Sequence, residues 1–144
     1  MRITVIAVGK IKEAGLREVI DEYFSRMRRH VTCEEIELRD GKNVAEALRA
    51  AIPSGAIVVA LEVDGQMLDS PTFSQRIVQW GTSGKGSIAF LIGGADGLPR
   101  AISNAADVKL SMSKMTLPHR VARLVLAEQL YRAISIWRGE PYHR

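Results

Sequence analysis

The amino-acid sequence predicts an α/β fold in which a parallel sheet is flanked by helices. Strand-like and helical segments alternate along the whole chain, which is the pattern of a parallel α/β sheet. Residues 56–61 and 87–92 are continuously apolar, as strands buried on both faces are. The chain has 144 residues, of which 47% are hydrophobic and 25% charged. These values predict a single domain over residues 1–144.

The first half of the chain contains two strand–helix units. Residues 2–8 predict the first strand, and apolar residues between 16 and 27 recur with the period of a helix. Residues 31–38 are strand-like but charged, so we expect them at an edge of the sheet. Asn43 and Glu46 have the spacing of a capping box, which predicts a short helix after this strand.

The second half continues the alternation. The apolar run 56–61 predicts a buried strand, with Glu62 at its end, and Ser70 followed by Pro71 predicts the start of a helix. The remaining elements follow in chain order: a strand over 87–92, a short helix over 98–105, a fifth strand over 107–112 and a long helix over 119–138, closed by Gly139.

Several classes of protein are disfavoured by composition. No apolar stretch approaches the roughly 18 residues that a membrane span needs, and the start of the chain lacks the pattern of a signal peptide. Cys33 has no cysteine with which to pair, so we expect a structural thiol and a reducing, cytoplasmic location.

Positive charge is concentrated late in the chain. Residues 100–144 carry eight Lys or Arg and three Asp or Glu, whereas residues 1–99 carry twelve and thirteen. This asymmetry favours a polyanionic partner such as RNA. Solvated charges on a helix face explain the same count, and the sequence leaves both interpretations open.

A cofactor cradle is predicted by a cluster of glycines. An apolar run leads directly into Gly93, Gly94 and Gly97, and a second apolar segment at 110–112 leads into a small polar stretch. In open α/β sheets, ligands bind at the carboxyl ends of the strands. Glycine lets the backbone approach a ligand closely and permits turns with positive φ.

Other binding and catalytic motifs do not match. Residues 81–87 lack the spacing and the strand-to-helix position of a P-loop, and the glycines at 93–97 are not the GxGxxG of a dinucleotide site. His30, His119 and His143 are scattered, so no metal site is predicted. A GxSxG hydrolase elbow is also absent from the sequence.

The last residues combine groups that suit a nucleic acid. Tyr142, His143 and Arg144 offer an aromatic ring, an imidazole and a guanidinium, which stack on bases or hold phosphates. A frayed terminus is the alternative interpretation. For His119, at the start of the last helix, the alternative to a functional role is a position that faces solvent.

Four motifs give the chain a resemblance to a known family. They are GGADGL at 93–98, SKMTLPH at 113–119, EQLYRA at 128–133 and GEPYHR at 139–144. With IAVGK at 6–10, they resemble the RlmH family, SPOUT-class enzymes that methylate N3 of a pseudouridine in 23S ribosomal RNA. The segment from Asp40 to Ser54 is shorter than in many members.

The resemblance implies a SPOUT-type α/β fold with a C-terminal trefoil knot, a cytoplasmic homodimer and S-adenosyl-L-methionine as methyl donor. The implied partner is 23S rRNA within the large subunit or the assembled ribosome, with no metal and no membrane. The family's cofactor contacts fall on Leu61, Gly93, Gly94, Met112, Ser113, Lys114, Met115, Thr116 and Leu117.

The implied reaction makes few chemical demands. A sulfonium methyl is already activated, so displacement requires an aligned nucleophile. The ring nitrogen must lose a proton, which a base or a positive field assists. Candidate catalytic residues are His143, Tyr142, Arg144 and His119, and their order is open. Two other functions stay possible at this point, a ribosome-associated binding protein and a nucleotide-dependent oxidoreductase.

Overall fold

A computed structural model describes residues 1–143. Its strands are β1 (Arg2–Val8), β2 (Thr32–Leu38), β3 (Ile57–Met67), β4 (Ser87–Ile92) and β5 (Val108–Ser111). Its helices are α1 (Ala14–Met27), α2 (Val44–Ala51), α3 (Ser70–Thr82), α4 (Arg100–Ala105) and α5 (His119–Trp137), followed by a 3-10 turn at Pro141–His143. Each strand and helix predicted from the sequence is present. None of these helices has the combined length and apolar character needed to cross a membrane.

The five strands form one parallel sheet in the order β2-β1-β4-β3-β5. The predicted parallel α/β fold is therefore confirmed, as is the edge position of β2. Every residue of β4 is buried, because neighbouring strands pair with both of its sides and helices cover both faces. The trefoil knot, which only the resemblance implies, stays a prediction.

Alternate residues of β1 serve two hydrophobic cores. Ile3 and Val5 belong to the larger core, which α1, α3 and α5 cover. Ile6 and Val8 belong to the smaller core on the other face, together with Leu48 of α2. The side-chain period of two in a strand produces this division. The carboxyl ends of the strands lead into loops.

The helix starts differ from those predicted. The capping box at Asn43 does not form, since its side chain makes no cap hydrogen bond. The cap of α3 is Asp69, whose carboxylate accepts a hydrogen bond of 2.9 Å from the Thr72 N–H. Ser70 lies inside the helix, and its hydroxyl bonds the Gln129 side chain at 2.7 Å. An aspartate one position earlier is an equally suitable cap, and only the backbone path selects it.

Strand β3 is longer than its apolar run. Beyond the predicted end at Leu61 the chain leaves the ladder and returns, so that Leu61 and Gln66 both pair with Leu110. Asp64 and Gly65 lie within this excursion. A Cβ on Gly65 would stand 2.7 Å from the Leu110 carbonyl carbon, so glycine is required where the excursion crosses β5.

Candidate functional site

A cleft of about 530 Å³ lies at the carboxyl edge of the sheet, a size typical of small-molecule sites. The irregular middle of β3 and the loops that follow β4 and β5 form its walls, and the start of α5 closes one side. Because the strands are parallel and adjacent, segments distant in sequence converge there.

Most of the predicted cofactor residues meet in this cleft. Eight of the nine line it, namely Leu61, Gly93, Gly94, Met112, Ser113, Met115, Thr116 and Leu117. Lys114 does not line it and is exposed. Gly97, part of the predicted glycine cluster, also lines the cleft. The lining residues that the sequence pattern did not predict are Glu62, Val63, Ile92, Ala95, Leu98, Pro118 and Ala122. These residues lie beside the predicted strand ends, and that position could have indicated them. The prediction relied instead on glycines and small polar residues.

Gly93 is needed by the loop itself. A Cβ on Gly93 would stand 2.3 Å from the Gly97 carbonyl carbon and 2.4 Å from the Leu98 nitrogen. Gly97 adopts a φ of +77° and donates its N–H to the Gly94 oxygen at 3.0 Å. The glycines therefore let the loop fold back on itself, and protein backbone occupies the space next to Gly93.

The loop after β5 is held by hydroxyl groups. The Ser111 hydroxyl donates to the Ser113 carbonyl at 3.0 Å, and the Ser113 hydroxyl accepts from the Met115 N–H at 3.0 Å. These local bonds shape the backbone at the cleft wall. Met115 is 78% exposed, so this wall presents a large apolar side chain to solvent.

His119 lies at the cleft and is half-buried. It is the first residue of α5, and its Nε2 atom is 3.7 Å from the position that a Cβ on Gly9 would take. The imidazole therefore packs against the end of β1 on one side and lines the cleft on the other. A purely solvent-facing position for His119 does not fit this geometry.

The C-terminal turn is docked on the body of the protein. The Tyr142 ring packs edge-on against Tyr131, with centroids 4.6 Å apart, and the Arg132 guanidinium lies 5.1 Å from the Tyr142 ring centroid. The Tyr142 hydroxyl donates to Glu128 at 3.2 Å and lies 3.4 Å from the Tyr23 hydroxyl. Burial and these two neighbours raise the pKa of Tyr142. A frayed turn does not describe Tyr142.

The structure keeps this turn apart from the cleft. Neither Tyr142 nor His143 lines the cleft, and Arg144 lies outside the described residues. Glu128, which contacts Tyr142, is displaced from His119 by roughly 13 Å along the α5 axis at the rise of an α-helix. Within one chain, His119 and the docked Tyr142 are therefore not brought together.

An ionic cluster is centred on the buried Arg123, which follows the cleft residue Ala122 in α5. The Arg123 side chain is 0% exposed, and its Nη2 atom is 2.6 Å from Oε2 of Glu35 and of Glu37. Arg17 bonds the same two carboxylates from α1. Arg123 also donates to the Gly9 carbonyl at 3.2 Å. This arginine is therefore engaged inside the protein and adds nothing to the basic surface expected of the last third.

Two other features of the described residues bear on chemistry. Across residues 1–143, no three His, Cys, Asp or Glu side chains are grouped so as to hold a metal ion. Cys33 is buried, and its burial raises the thiol pKa despite the opposing effect of Arg28. A thiol in this setting is a poor nucleophile, in keeping with the structural role expected of it.

Solved structures share this fold, and one of them is described as a methyltransferase. TrmJ from Z. mobilis ZM4 superposes with a TM-score of 0.55 at 13% identity, over 90% of this chain and 69% of that one. The SpoU methyltransferase AviRb from Streptomyces viridochromogenes, in complex with AdoMet, gives a TM-score of 0.51 at 14% identity, over 95% of this chain and 58% of that one. At these identities the likeness establishes the fold alone.

Sequence relatives are much nearer. A relative from Sorangium cellulosum (strain So ce56), named ribosomal RNA large subunit methyltransferase H, is 53% identical over 99% of each chain. A protein of the same name from Roseobacter denitrificans (strain ATCC 33942 / OCh 114) is 42% identical over 100% of this chain and 99% of its own. The family model described as "Predicted SPOUT methyltransferase" matches residues 1–143. On this full-length match the chain belongs to the SPOUT methyltransferases and, among them, to the RlmH family.

Proposed function

We propose that this protein transfers a methyl group from S-adenosyl-L-methionine to N3 of a pseudouridine in 23S ribosomal RNA. The observation that carries the proposal is the cleft, where eight positions expected from the resemblance converge from three neighbouring strands and the loops after them. The full-length relatives named ribosomal RNA large subunit methyltransferase H support the choice of reaction and substrate.

The residues of the cleft suit this cofactor. Apolar side chains of Leu61, Ile92 and Leu117 offer a surface for a flat purine ring. The backbone at 93–97 and 112–116 offers polar groups on both sides of that surface. When bound, the cofactor supplies an activated methyl group, and the protein has to hold and orient the two reactants.

His119 is the candidate catalytic residue that the geometry favours. Of the four candidates it alone lines the cleft within the described part of the chain. In this proposal His119 contacts the base and accepts the N3 proton or stabilises the resulting anion. The Tyr142 hydroxyl already donates to Glu128 and, with its pKa raised, stays protonated near neutral pH.

A homodimer completes this proposal. The docked turn lies away from the cleft of its own chain, so a second copy is the natural source of Tyr142, His143 and Arg144 for each cleft. Leu126 of α5 is 0% exposed and belongs to the core, so it is not available to an interface. Large exposed apolar side chains lie in the second part of β3 and after β5, with Val63 50%, Met67 51% and Met115 78% exposed, and Trp137 at the end of α5 is 38% exposed.

The proposal places one SPOUT domain over residues 1–144 in the cytoplasm, acting on 23S rRNA in the large subunit or the assembled ribosome. Light scattering at micromolar concentration tests the dimer, and a monomer mass would remove the shared site.

Two measurements test the reaction. Isothermal titration is expected to show binding of S-adenosyl-L-methionine and none of NAD. Mass spectrometry is expected to show one methylated pseudouridine in the rRNA of cells that carry the gene. The methyl group should be missing in cells from which the gene is deleted. A silent titration would favour a ribosome-binding protein, and NAD binding would favour an oxidoreductase.

A further inference from the structure

We propose that residues 9–13, here called the basic loop, form a rigid RNA-binding element at the rim of the cleft. In this inference Lys10 and Lys12 contact phosphates of the rRNA. It rests on the proposed function for the identity of the partner. Its evidence is the way in which the protein interior holds this loop.

The basic loop is anchored at alternate residues. The Gly9 carbonyl accepts a hydrogen bond of 3.2 Å from Arg123, and the Ile11 N–H donates to Glu37 at 2.9 Å. The Ile11 side chain is 4% exposed, so it is also anchored in the core. Lys10 lies between the two anchors and Lys12 follows them, and both are exposed.

The anchor is an ion cluster whose centre, the Arg123 side chain, is fully buried. Arg123 and Arg17 match the charges of Glu35 and Glu37, and the exposed Asp21 also pairs with Arg17 at 2.9 Å, so one formal negative charge remains. Arg123 is buried with its Nε atom lacking a hydrogen-bond partner. Burying ions in this way contributes little net stability compared with apolar packing. A role in fixing the conformation of the basic loop accounts for its presence.

The neighbouring loop extends the positive surface. The Gly9 N–H donates to the Leu38 carbonyl at 2.8 Å, which joins the basic loop to the end of β2. Arg39 and Lys42 follow β2 and are exposed. Because β1 and β2 are adjacent and parallel, both loops lie at the same edge of the sheet.

One acidic residue of this edge, Glu13, lies 3.5 Å from the Arg120 guanidinium, which offsets its charge. Asp40 accepts a hydrogen bond of 2.8 Å from the uncharged Gly41 N–H, which orients its carboxylate but does not offset its charge. The basic loop also adjoins the cleft, since the His119 imidazole packs against Gly9. Phosphate contacts made here would fix the register of the RNA relative to the cleft.

Rigidity gives this surface an advantage over a flexible basic segment. A backbone already fixed in the free protein loses little conformational entropy when RNA binds. The lysine stems retain their freedom, but their Cα positions are set by the anchors at Gly9 and Ile11.

The test compares two charge reversals in the full-length protein. Lys10→Glu with Lys12→Glu changes the basic loop, and Arg29→Glu with Lys85→Glu is the matched control, because those exposed residues precede β2 and β4 at the opposite edge. Binding to ribosomes that lack the methyl group is measured at several salt concentrations. Titration with S-adenosyl-L-methionine is run on the same samples.

We expect the basic-loop variant to bind ribosomes about tenfold more weakly at low salt, with a slope of log K against log salt smaller by about 1.5. The control should keep the wild-type slope, and both variants should bind the cofactor normally. Equal ribosome affinity and slope in both variants would overturn the inference. A wild type that does not bind the cofactor would instead refute the proposed function.

Glu37→Ala tests the anchor separately. It frees the Ile11 N–H but keeps both lysines, so ribosome affinity should fall severalfold while the salt slope stays that of the wild type. Unchanged affinity would show that the anchor has no part in binding.

Discussion

The Nη2 atom of Arg123 lies 2.6 Å from Oε2 of Glu37, and this contact joins α5 to β2 beneath the β1–α1 loop. Arg123 is separated from His119 by one turn of α5, so the same helix turn that lines the cleft is fixed from within. The cleft wall and the basic loop therefore share one support.

Removing Arg123 should destabilise the protein strongly. Arg123→Met leaves Glu35 and Glu37 without their buried partner, and breaking a buried pair in this way costs about 3–5 kcal/mol. The matched control is Arg120→Met, since Arg120 is 50% exposed and its pairing with Glu13 at 3.5 Å should be worth under about 1 kcal/mol. Urea unfolding measures the free energy of unfolding of both variants. Equal costs would show that the cluster is not a structural support.

Stability should depend on pH through Glu37. Burial alone would raise the pKa of Glu37, but the Ile11 N–H, Arg123 and Arg17 outweigh it and lower that pKa below 4.5. The folded state therefore prefers the carboxylate, and the resulting stability is present above about pH 4.5 and lost as the pH falls through the folded pKa.

Unfolding free energies of the wild type and Glu37→Gln, measured from pH 7 to pH 3, check this dependence. The difference between the two proteins should shrink as the pH falls. A difference that stays constant over the whole range would contradict the assigned interactions of Glu37.

Gly93→Ala should disrupt the glycine loop. The added Cβ would stand 2.3 Å from the Gly97 carbonyl carbon, so the loop has to move, at a cost of about 1–3 kcal/mol. Cofactor binding should be lost with the loop. Gly97→Ala is the control, because its Cβ meets nothing within 4 Å and only the positive φ is strained.

Thermal melts with and without S-adenosyl-L-methionine separate the two glycine variants. Gly97→Ala should lower the melting temperature but still gain stability as the ligand concentration rises. A normal ligand-induced shift in Gly93→Ala would show that this loop does not form the cofactor site.

The Tyr142 ring should matter more than its hydroxyl. Tyr142→Ala removes the packing on Tyr131 and the contact with Arg132, so the last residues lose their position. Methyl transfer to ribosomes should fall by roughly a hundredfold, as expected when reacting groups are misplaced. Tyr142→Phe keeps the ring and should retain most of the activity.

Single-turnover transfer of a labelled methyl group, run beside a cofactor titration, checks the Tyr142 variants. Cofactor affinity should be unchanged in both, because Tyr142 does not line the cleft of its own chain and the proposal assigns the partner's tail to the RNA, not to the cofactor. If Tyr142→Phe were as inactive as Tyr142→Ala, the hydroxyl would have a chemical role.

Local patterns in the sequence determined the element order and the parallel sheet. Continuous apolar runs such as 87–92 report burial on both faces, and this signal depends on the nearest neighbours alone. The glycines at 93–97 and the small residues after β5 likewise marked two strand ends. These marked positions were enough to predict most of the cleft, because parallel strands bring such ends to one edge of the sheet.

Tertiary structure decided which side chains meet. Arg123 and Glu35 are 88 residues apart in the chain, and no local period links them. The count of positive charges in the last third therefore included Arg123, although a glutamate from the first third pairs with it. The return of β3 to its ladder, the exposure of Lys114 and the docking of Tyr142 also depend on distant contacts. Periodicity specifies which face of an element is buried, whereas the partner on that face is fixed only when the whole chain has folded.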